Sequence, residues 1–133
     1  MSQENVEMVR EAFEAYSARG IEALVDFATE DGVWHTAPEF VDAPEFRGHE
    51  GLRSLFSIFP DHFDNWTIDL IEVRDAGASA VALIEHGGLI KGTDTPLRQP
   101  MGVVFSDFRG KRAGRFDAYQ TWREALEAAG LSE

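Results

Sequence analysis

The sequence contains no cysteine and few basic residues, with 12 lysines and arginines among 133 residues. Without cysteine there are no disulfides and no thiolate metal ligands, which fits a cytoplasmic protein. No apolar run approaches the roughly 18 residues that a membrane-spanning helix needs. The N-terminus shows no basic segment followed by an apolar one, so no signal peptide is predicted. We therefore expect no membrane partner.

Negative charge dominates, with 24 acidic residues and a formal net charge of −12. Such a surface repels phosphate, and nucleic-acid affinity depends on lysine and arginine, so we expect no nucleic-acid partner. Basic residues concentrate between Arg98 and Arg123. This segment is either a solvated hairpin, or it uses Arg98 or Arg115 to face an anionic substrate group. Hydrophobic residues make up 44% of the chain, which fits one globular domain spanning residues 1–133.

Apolar periodicity predicts helices first and strands afterwards. Helical spacing occurs over residues 3–19, 21–28 and 50–59, and strand patterns over 33–36, 66–71, 80–90, 97–108 and 112–120. A turn at Asp31-Gly32 and a loop over residues 37–48 separate the early elements. Thr121 and Glu124 have the spacing of a capping box that opens a last short helix. Helices followed by hairpin-joined strands predict an α+β fold, a curved antiparallel sheet with helices packed over one face and a cone-shaped cavity between them.

Common catalytic and cofactor motifs are missing from the chain. There is no glycine-rich phosphate loop and no Gly-x-Ser-x-Gly elbow, and the four histidines are scattered without metal-ligand spacing. We therefore predict neither a metal site nor a cofactor.

A lone acid in the last strand, Asp117, is the main candidate for chemistry. An enclosed carboxylate costs free energy unless it is solvated, paired or used. Arg115 and Tyr119 share its face of the strand, because side chains alternate. If Glu85 approached Asp117 in a dry cavity, one carboxyl would hold a proton while the other stayed ionised, which makes an acid–base pair. Trp34 shares one face of the first strand with Thr36.

The order of elements and several motifs resemble the SnoaL-like branch of the nuclear transport factor two-like superfamily. The motifs are Met8 to Phe13, Asp31 to His35, Arg47 to Leu52, Gly110-Lys111 and Glu124 to Leu131. The resemblance covers nearly the whole chain. It implies a cone-shaped α+β barrel, often a homodimer through its sheet, in a superfamily that includes polyketide cyclases, ketosteroid isomerase, limonene epoxide hydrolase and scytalone dehydratase.

The resemblance also suggests roles for individual residues. Thr36 falls where ketosteroid isomerase carries its aspartate base, and Phe13 falls near that family's oxyanion tyrosine, so isomerisation by that mechanism is not expected. Asp117 matches the aspartate that holds the attacking water in the epoxide hydrolase when counted from Gly110. Glu85 takes the place of a second acid on the partner strand. The implied pocket residues are Phe13, Tyr16, Trp34, Thr36, Arg115, Phe116 and Tyr119.

The orientation of the last strand stays open at this level. From Gly110 to the helix cap at Thr121 the chain is one residue longer than is usual in the family, so a bulge must absorb the difference. If the bulge precedes Asp117, then Phe116 and Ala118 face the cavity instead, because a one-residue slip reverses every side chain.

Three functions follow from these alternatives. The first is a cofactor-independent cyclase, hydrolase or dehydratase that acts on an apolar, oxygenated small molecule, with Asp117 as general base assisted by Glu85. The second is a non-catalytic ligand-binding or assembly module of the same fold. The third is a transport adaptor that binds partner proteins through an exposed apolar sheet surface.

Overall fold

The computed structural model describes residues 2–36 and 45–132. The helices are α1 (Ser2–Arg19), α2 (Ile21–Phe27), α3 (Gly48–Ser57) and α4 (Trp122–Ala128), with a 3₁₀ turn at Phe59–Asp61. The strands are β1 (Ala28–His35), β2 (Glu45–Arg47), β3 (Phe63–Asp75), β4 (Ala80–Ile90), β5 (Pro96–Arg109) and β6 (Arg112–Tyr119).

The six strands form one mixed, curved sheet in the order β2-β1-β6-β5-β4-β3. The pairs β3–β4, β4–β5 and β5–β6 are antiparallel, as the predicted hairpins require. β1 pairs with β6 in parallel, which brings the first strand beside the last. The sheet does not close, and β2 and β3 form its edges. The predicted α+β fold with a cone-shaped interior is confirmed, but the sheet is mixed and not antiparallel throughout as predicted, because β1 lies parallel to β6.

The early part of the chain differs from the sequence prediction in two places. β1 begins at Ala28, and its pairing with β6 shifts between Ala28 and Val33, so Asp31-Gly32 lies within an irregular strand and not in a turn. The predicted loop over residues 37–48 contains β2, whose three residues pair with β1. Residues 37–44 of that prediction lie outside the described residues.

Helices α1, α2 and α3 pack over the inner face of the sheet and enclose the main apolar core. Val9 and Leu52 are among its fully buried side chains. Burying a leucine of this kind stabilises the fold by roughly 1.5–3 kcal/mol. Gly20 ends α1 with a φ of 75°, a conformation that glycine adopts without steric cost.

Helix α4 covers part of the outer face of the sheet. Its buried residues Ala125 and Leu126 pack on Val81, Leu83 and Val104 and form a second, smaller core. The N-cap bond of the predicted capping box is present, since the Glu124 backbone N–H donates to Thr121 Oγ1 at 3.1 Å, while the Glu124 carboxylate accepts from the Thr121 hydroxyl at 3.0 Å. This cap positions α4 directly after β6.

None of the described helices is long and apolar enough to cross a membrane.

Candidate functional site: an apolar cavity under the helices

In the β5–β6 hairpin, the alternation of inward-facing and outward-facing side chains is interrupted at Asp107 and Gly114. Ala113 and Phe116 both line the cavity although they are three residues apart on one strand, so the alternation of side chains is broken between them. Asp107 has a φ of 54°, which is uncommon for a residue with a side chain. The pairs Phe108↔Ala113 and Ser106↔Arg115 flank this point. The alternation is interrupted in both strands at the same point. The pairing register of the hairpin is therefore the same before and after this point.

This change of phase sets the orientation of Asp117, which the sequence left open. Because it precedes Asp117, Phe116 and Ala118 point into the cavity and Asp117 points to the outer face of the sheet. Arg115 and Tyr119 share the outer face with Asp117 and are not among the described residues that line the cavity. Phe116 and Ala118 face inward, as expected for a bulge before Asp117, but β5 and β6 keep one pairing register, so the change occurs in both strands without a bulge between them.

Asp117 is held in a charged network on the outer face of β1, β2 and β6. Its carboxylate accepts from Arg115 Nε at 2.9 Å and lies 3.0 Å from His35 Nδ1. The other ring nitrogen of His35 lies 3.0 Å from Glu45, and Arg47 pairs with the same carboxylate at 2.7 Å. The hydrogen bond to Asp117 raises the pKa of Arg115, and the hydrogen bond from His35 lowers the pKa of Glu45. Asp117 is therefore paired within the protein.

Glu85 also lies on the outer face, far from Asp117. Pairing places Asp117 opposite Val104 and Val104 opposite Val81, four residues before Glu85 on β4. At the usual rise of a strand, this offset is roughly 13 Å along the sheet. The predicted acid–base pair between Glu85 and Asp117 is therefore not formed.

Arg98 and Arg115 are both engaged by carboxylates of the protein. Arg98 forms an ion pair with Asp69, donates to Thr67 Oγ1 at 3.1 Å, and its Nε lies 3.9 Å from Glu85. Arg115 pairs with Asp117 as described above. Neither arginine is among the described residues that line the cavity, which favours the alternative of a solvated hairpin.

The cavity itself has a volume of about 70 Å³ and lies between the helices and the inner face of the sheet. Its aromatic lining is Phe13, Phe27, Trp34, Phe56, Phe59, Trp66, Phe105 and Phe116. Its other lining residues are Leu24, Ala28, Thr36, Leu52, Leu55, Ile68, Ile84, Met101, Val103, Ala113 and Ala118. Of the described residues that form this wall, none carries a charge.

The structure places most of the sequence-predicted pocket residues in this wall. Phe13, Trp34, Thr36 and Phe116 line it. Tyr16 is half-buried one turn after Phe13, where its ring packs edge-on against Phe56, and burial raises its pKa. It contributes to the core around the cavity and is not one of the described lining residues.

Trp34 forms one end of the cavity and is held from three sides. Its indole N–H donates to the Gly48 carbonyl at 2.8 Å, and its ring stacks on Phe116 with centroids 5.2 Å apart. Gly32 lies two residues earlier on the same face of β1. A Cβ atom there would be 2.1 Å from the Trp34 ring, so this position accepts no side chain while the indole stays in place.

A cluster around Trp66 and His86 forms the opposite end. The Trp66 ring lies parallel to Phe59 with centroids 4.5 Å apart, and its N–H donates to His86 Nδ1 at 3.1 Å. His86 is only 1% exposed, and this burial, together with the positive charge of Arg98, lowers its pKa to about 4. The histidine is therefore neutral at pH 7, and its proton sits on Nε2 because Nδ1 accepts.

Sequence reasoning missed His86 and most of the aromatic wall. In the sequence, His86 is only one of four histidines without metal-ligand spacing. The spacing of Phe56 and Phe59 after Leu52 marked an apolar helix face, but that pattern is the same for a packed core and for a cavity wall. Their place beside a cavity depends on contacts with Trp66, which is distant in sequence.

Thr36 supplies the cavity's one hydroxyl among the described lining residues. It is 8% exposed, and its Oγ1 has no hydrogen-bond partner among the residues that the structure describes. A buried hydroxyl without a partner costs roughly 1–3 kcal/mol. No group of three or more histidine, aspartate or glutamate side chains in the described ranges is arranged to hold a metal ion.

A model of the SnoaL-like domain family matches residues 9–118. The chain belongs to the SnoaL-like domain family. This confirms the resemblance seen in the sequence motifs. Among curated proteins, none matches this SnoaL-like chain significantly.

Several solved structures share the fold of this chain. A ketosteroid isomerase-like protein from Catenulispora acidiphila in complex with trimethylamine is 22% identical, with a TM-score of 0.70, covering 94% of this chain and 93% of its own. An NTF2-like protein of unknown function from Burkholderia pseudomallei is 18% identical, with a TM-score of 0.74 and coverages of 93% and 95%. TerC, co-crystallised with polyporic acid, is 15% identical, with a TM-score of 0.74 and coverages of 96% and 98%. At these identities the likeness shows the fold alone.

Proposed function

We propose that this SnoaL-like protein binds an apolar small molecule in the cavity between its helices and sheet, without using a carboxylate of β6 as a catalytic base. The observation that carries the proposal is the orientation of β6, which turns Phe116 and Ala118 inward and Asp117 outward. An apolar wall binds ligands mainly by removing their surface from water. The similar folds crystallised with trimethylamine and with polyporic acid support a ligand-binding role.

The catalytic alternative requires Asp117 and Glu85 to act as an acid–base pair at the cavity, and their positions on the outer face of the sheet do not support this. A general base must reach the proton that it removes, directly or through one water. Asp117 is separated from the cavity by the sheet and is paired with Arg115 and His35. Glu85 is on the same outer face, beside Arg98. The non-catalytic alternative requires neither residue to reach the ligand.

The adaptor alternative is weakened by helix α4. It required an exposed apolar sheet surface, but Val81, Leu83 and Val104 on the outer face lie buried beneath Ala125 and Leu126. Homodimerisation through the uncovered part of the sheet stays a proposal. Light scattering coupled to gel filtration tests it, since a dimer has twice the chain mass of 14.8 kDa.

A cavity-filling series tests the binding proposal. N-phenyl-1-naphthylamine is a neutral probe whose emission increases in apolar surroundings, and we expect it to bind the wild-type protein. Ala118→Val and Ala118→Leu add volume inside the cavity, so the probe's affinity should fall progressively, by about tenfold or more for leucine, which corresponds to roughly 1.4 kcal/mol. Circular dichroism establishes that each variant is folded.

Two controls locate the effect. Ala128→Leu makes the same change on the exposed side of α4 and should leave affinity within about twofold. Asp117→Asn should do the same, because its side chain lies on the other face of the sheet. If Asp117→Asn weakened the probe as much as Ala118→Leu while remaining folded, the cavity would not be the binding site.

A further inference from the structure

The hydrogen-bonding groups of the cavity are almost fully used by the protein. The N–H of Trp34 is bonded to the Gly48 carbonyl, and the N–H of Trp66 is bonded to His86 Nδ1. Neither indole is therefore available to a ligand without breaking a bond that the fold already makes. Among the described lining residues, this leaves the Thr36 hydroxyl.

The side chain of Thr36 is buried, and its hydroxyl forms no hydrogen bond with the described residues. Its side chain lines the cavity, is 8% exposed, and its Oγ1 has no partner among the described residues. A hydroxyl in such a place loses its hydrogen bonds to water without replacement. A ligand oxygen that meets it would recover that loss, whereas a purely hydrocarbon ligand would not.

The charge of the wall restricts the ligand further. The described lining residues include no lysine, arginine, histidine, aspartate or glutamate. An ionised ligand would enter without a counter-charge, and burying an unpaired ion is far more costly than burying a neutral polar group.

We propose that the ligand of this cavity is an uncharged, largely hydrocarbon molecule carrying one hydroxyl or carbonyl oxygen, and that this oxygen is bound by the hydroxyl of Thr36. The inference rests on the proposed function, because it names the ligand class of the same cavity. Thr36 can donate to a carbonyl or accept from a hydroxyl. Thr36 lies two residues after Trp34 on the same face, and the Trp34 ring stacks on Phe116. A ligand ring bound at Thr36 therefore lies against these two side chains.

Three matched probes test this ligand class: naphthalene, 2-naphthol and 2-naphthoate at pH 7. They share one ring system and differ in having no oxygen, one neutral hydroxyl, or a carboxylate. Binding is followed by calorimetry. We expect 2-naphthoate to bind at least a hundredfold more weakly than 2-naphthol.

The role of Thr36 is isolated by comparing variants. Thr36→Val removes the hydroxyl, and Thr36→Ser keeps it. The ratio of the naphthalene dissociation constant to that of 2-naphthol should fall about threefold to tenfold in Thr36→Val, the range for one neutral hydrogen bond, and should be retained in Thr36→Ser. Because the ratio is compared between variants, the different hydration of the two probes cancels.

The outcomes separate the two proposals. If the probes bind but the ratio is the same in Thr36→Val as in wild type, Thr36 does not bind the oxygen, and this inference is wrong while the cavity proposal stands. If 2-naphthoate binds as well as 2-naphthol, the restriction to uncharged ligands is wrong. If none of the three binds to the folded protein, the proposed function fails and the inference fails with it.

Discussion

Asp107 and Gly114 lie against each other across the β5–β6 hairpin, where a Cβ atom on Gly114 would be 2.5 Å from Oδ2 of Asp107 and 3.0 Å from its carbonyl oxygen. A methyl group at residue 114 would displace the Asp107 carboxylate and crowd the Asp107 carbonyl oxygen. The contact lies where both strands change phase, and the phase change sends Phe116 into the cavity and Asp117 out of it. This pair therefore marks the point beyond which the inward and outward positions of β6 are exchanged.

Replacing Gly114 tests how strongly this pair holds the hairpin. We expect Gly114→Ala to lower the free energy of unfolding by about 1–3 kcal/mol, since the new methyl group crowds the Asp107 backbone and displaces its carboxylate from Arg109. Urea unfolding measures the change. In an Asp107→Gly background the same substitution should cost less, because the carboxylate is gone and glycine accepts the positive φ. Equal costs in both backgrounds would show that the contact is not responsible.

Gly32 should be similarly intolerant of a side chain. Gly32→Ala places a methyl group within the volume of the Trp34 ring, which is 1% exposed and bonded to Gly48. We expect a loss of about 1–3 kcal/mol in unfolding free energy from overpacking, together with a change in tryptophan emission. In a Trp34→Leu background, where the shorter side chain does not reach Gly32, the additional cost of Gly32→Ala should largely disappear. A cost that persisted there would place the strain in the backbone of β1.

The neutral state of His86 predicts a specific loss of stability in acid. Its pKa is about 4 in the folded protein and 6.5 when exposed. Between these two pH values, the histidine is therefore protonated in the unfolded chain and neutral in the folded protein. Stability from this group is complete above pH 6.5 and decreases as the pH falls towards 4. The loss amounts to about 3 kcal/mol across that interval.

A pair of histidine variants isolates this contribution. The free energy of unfolding, measured with denaturant between pH 7 and pH 4, should change less steeply with pH in His86→Gln than in wild type. The expected difference in slope is about 1.4 kcal/mol per pH unit, which corresponds to one proton. Glutamine keeps an acceptor for the Trp66 N–H without titrating. His62→Gln, at an exposed position, should retain the wild-type slope. An unchanged slope in His86→Gln would show that the buried histidine is not the group that takes up the proton.

Local patterns were sufficient for most of the architecture. The helical spacing of Val9 and Phe13, the alternation in β3 and the cap at Thr121 predicted elements that the structure confirms. Each of these depends on side chains close together in sequence, so periodicity alone reveals them. The order of these elements, together with motifs such as Asp31 to His35, also resembles the SnoaL-like family, to which the chain belongs. Local patterns could not reveal β2, whose three residues become a strand only by pairing with β1.

In the candidate site, too, one part could be predicted from the sequence and another part could not. By itself, the sequence determined that the fold encloses an apolar interior and that Trp34, Thr36 and Phe116 belong near it. It left undecided whether Asp117 faces that interior, because the count from Gly110 and the count from Thr121 differ by one residue. Only the tertiary structure decided this, through the irregularity at Asp107 and Gly114 in the paired strands β5 and β6. The physical reason is that strand side chains alternate with a period of two, so one local irregularity exchanges every inward and outward position beyond it.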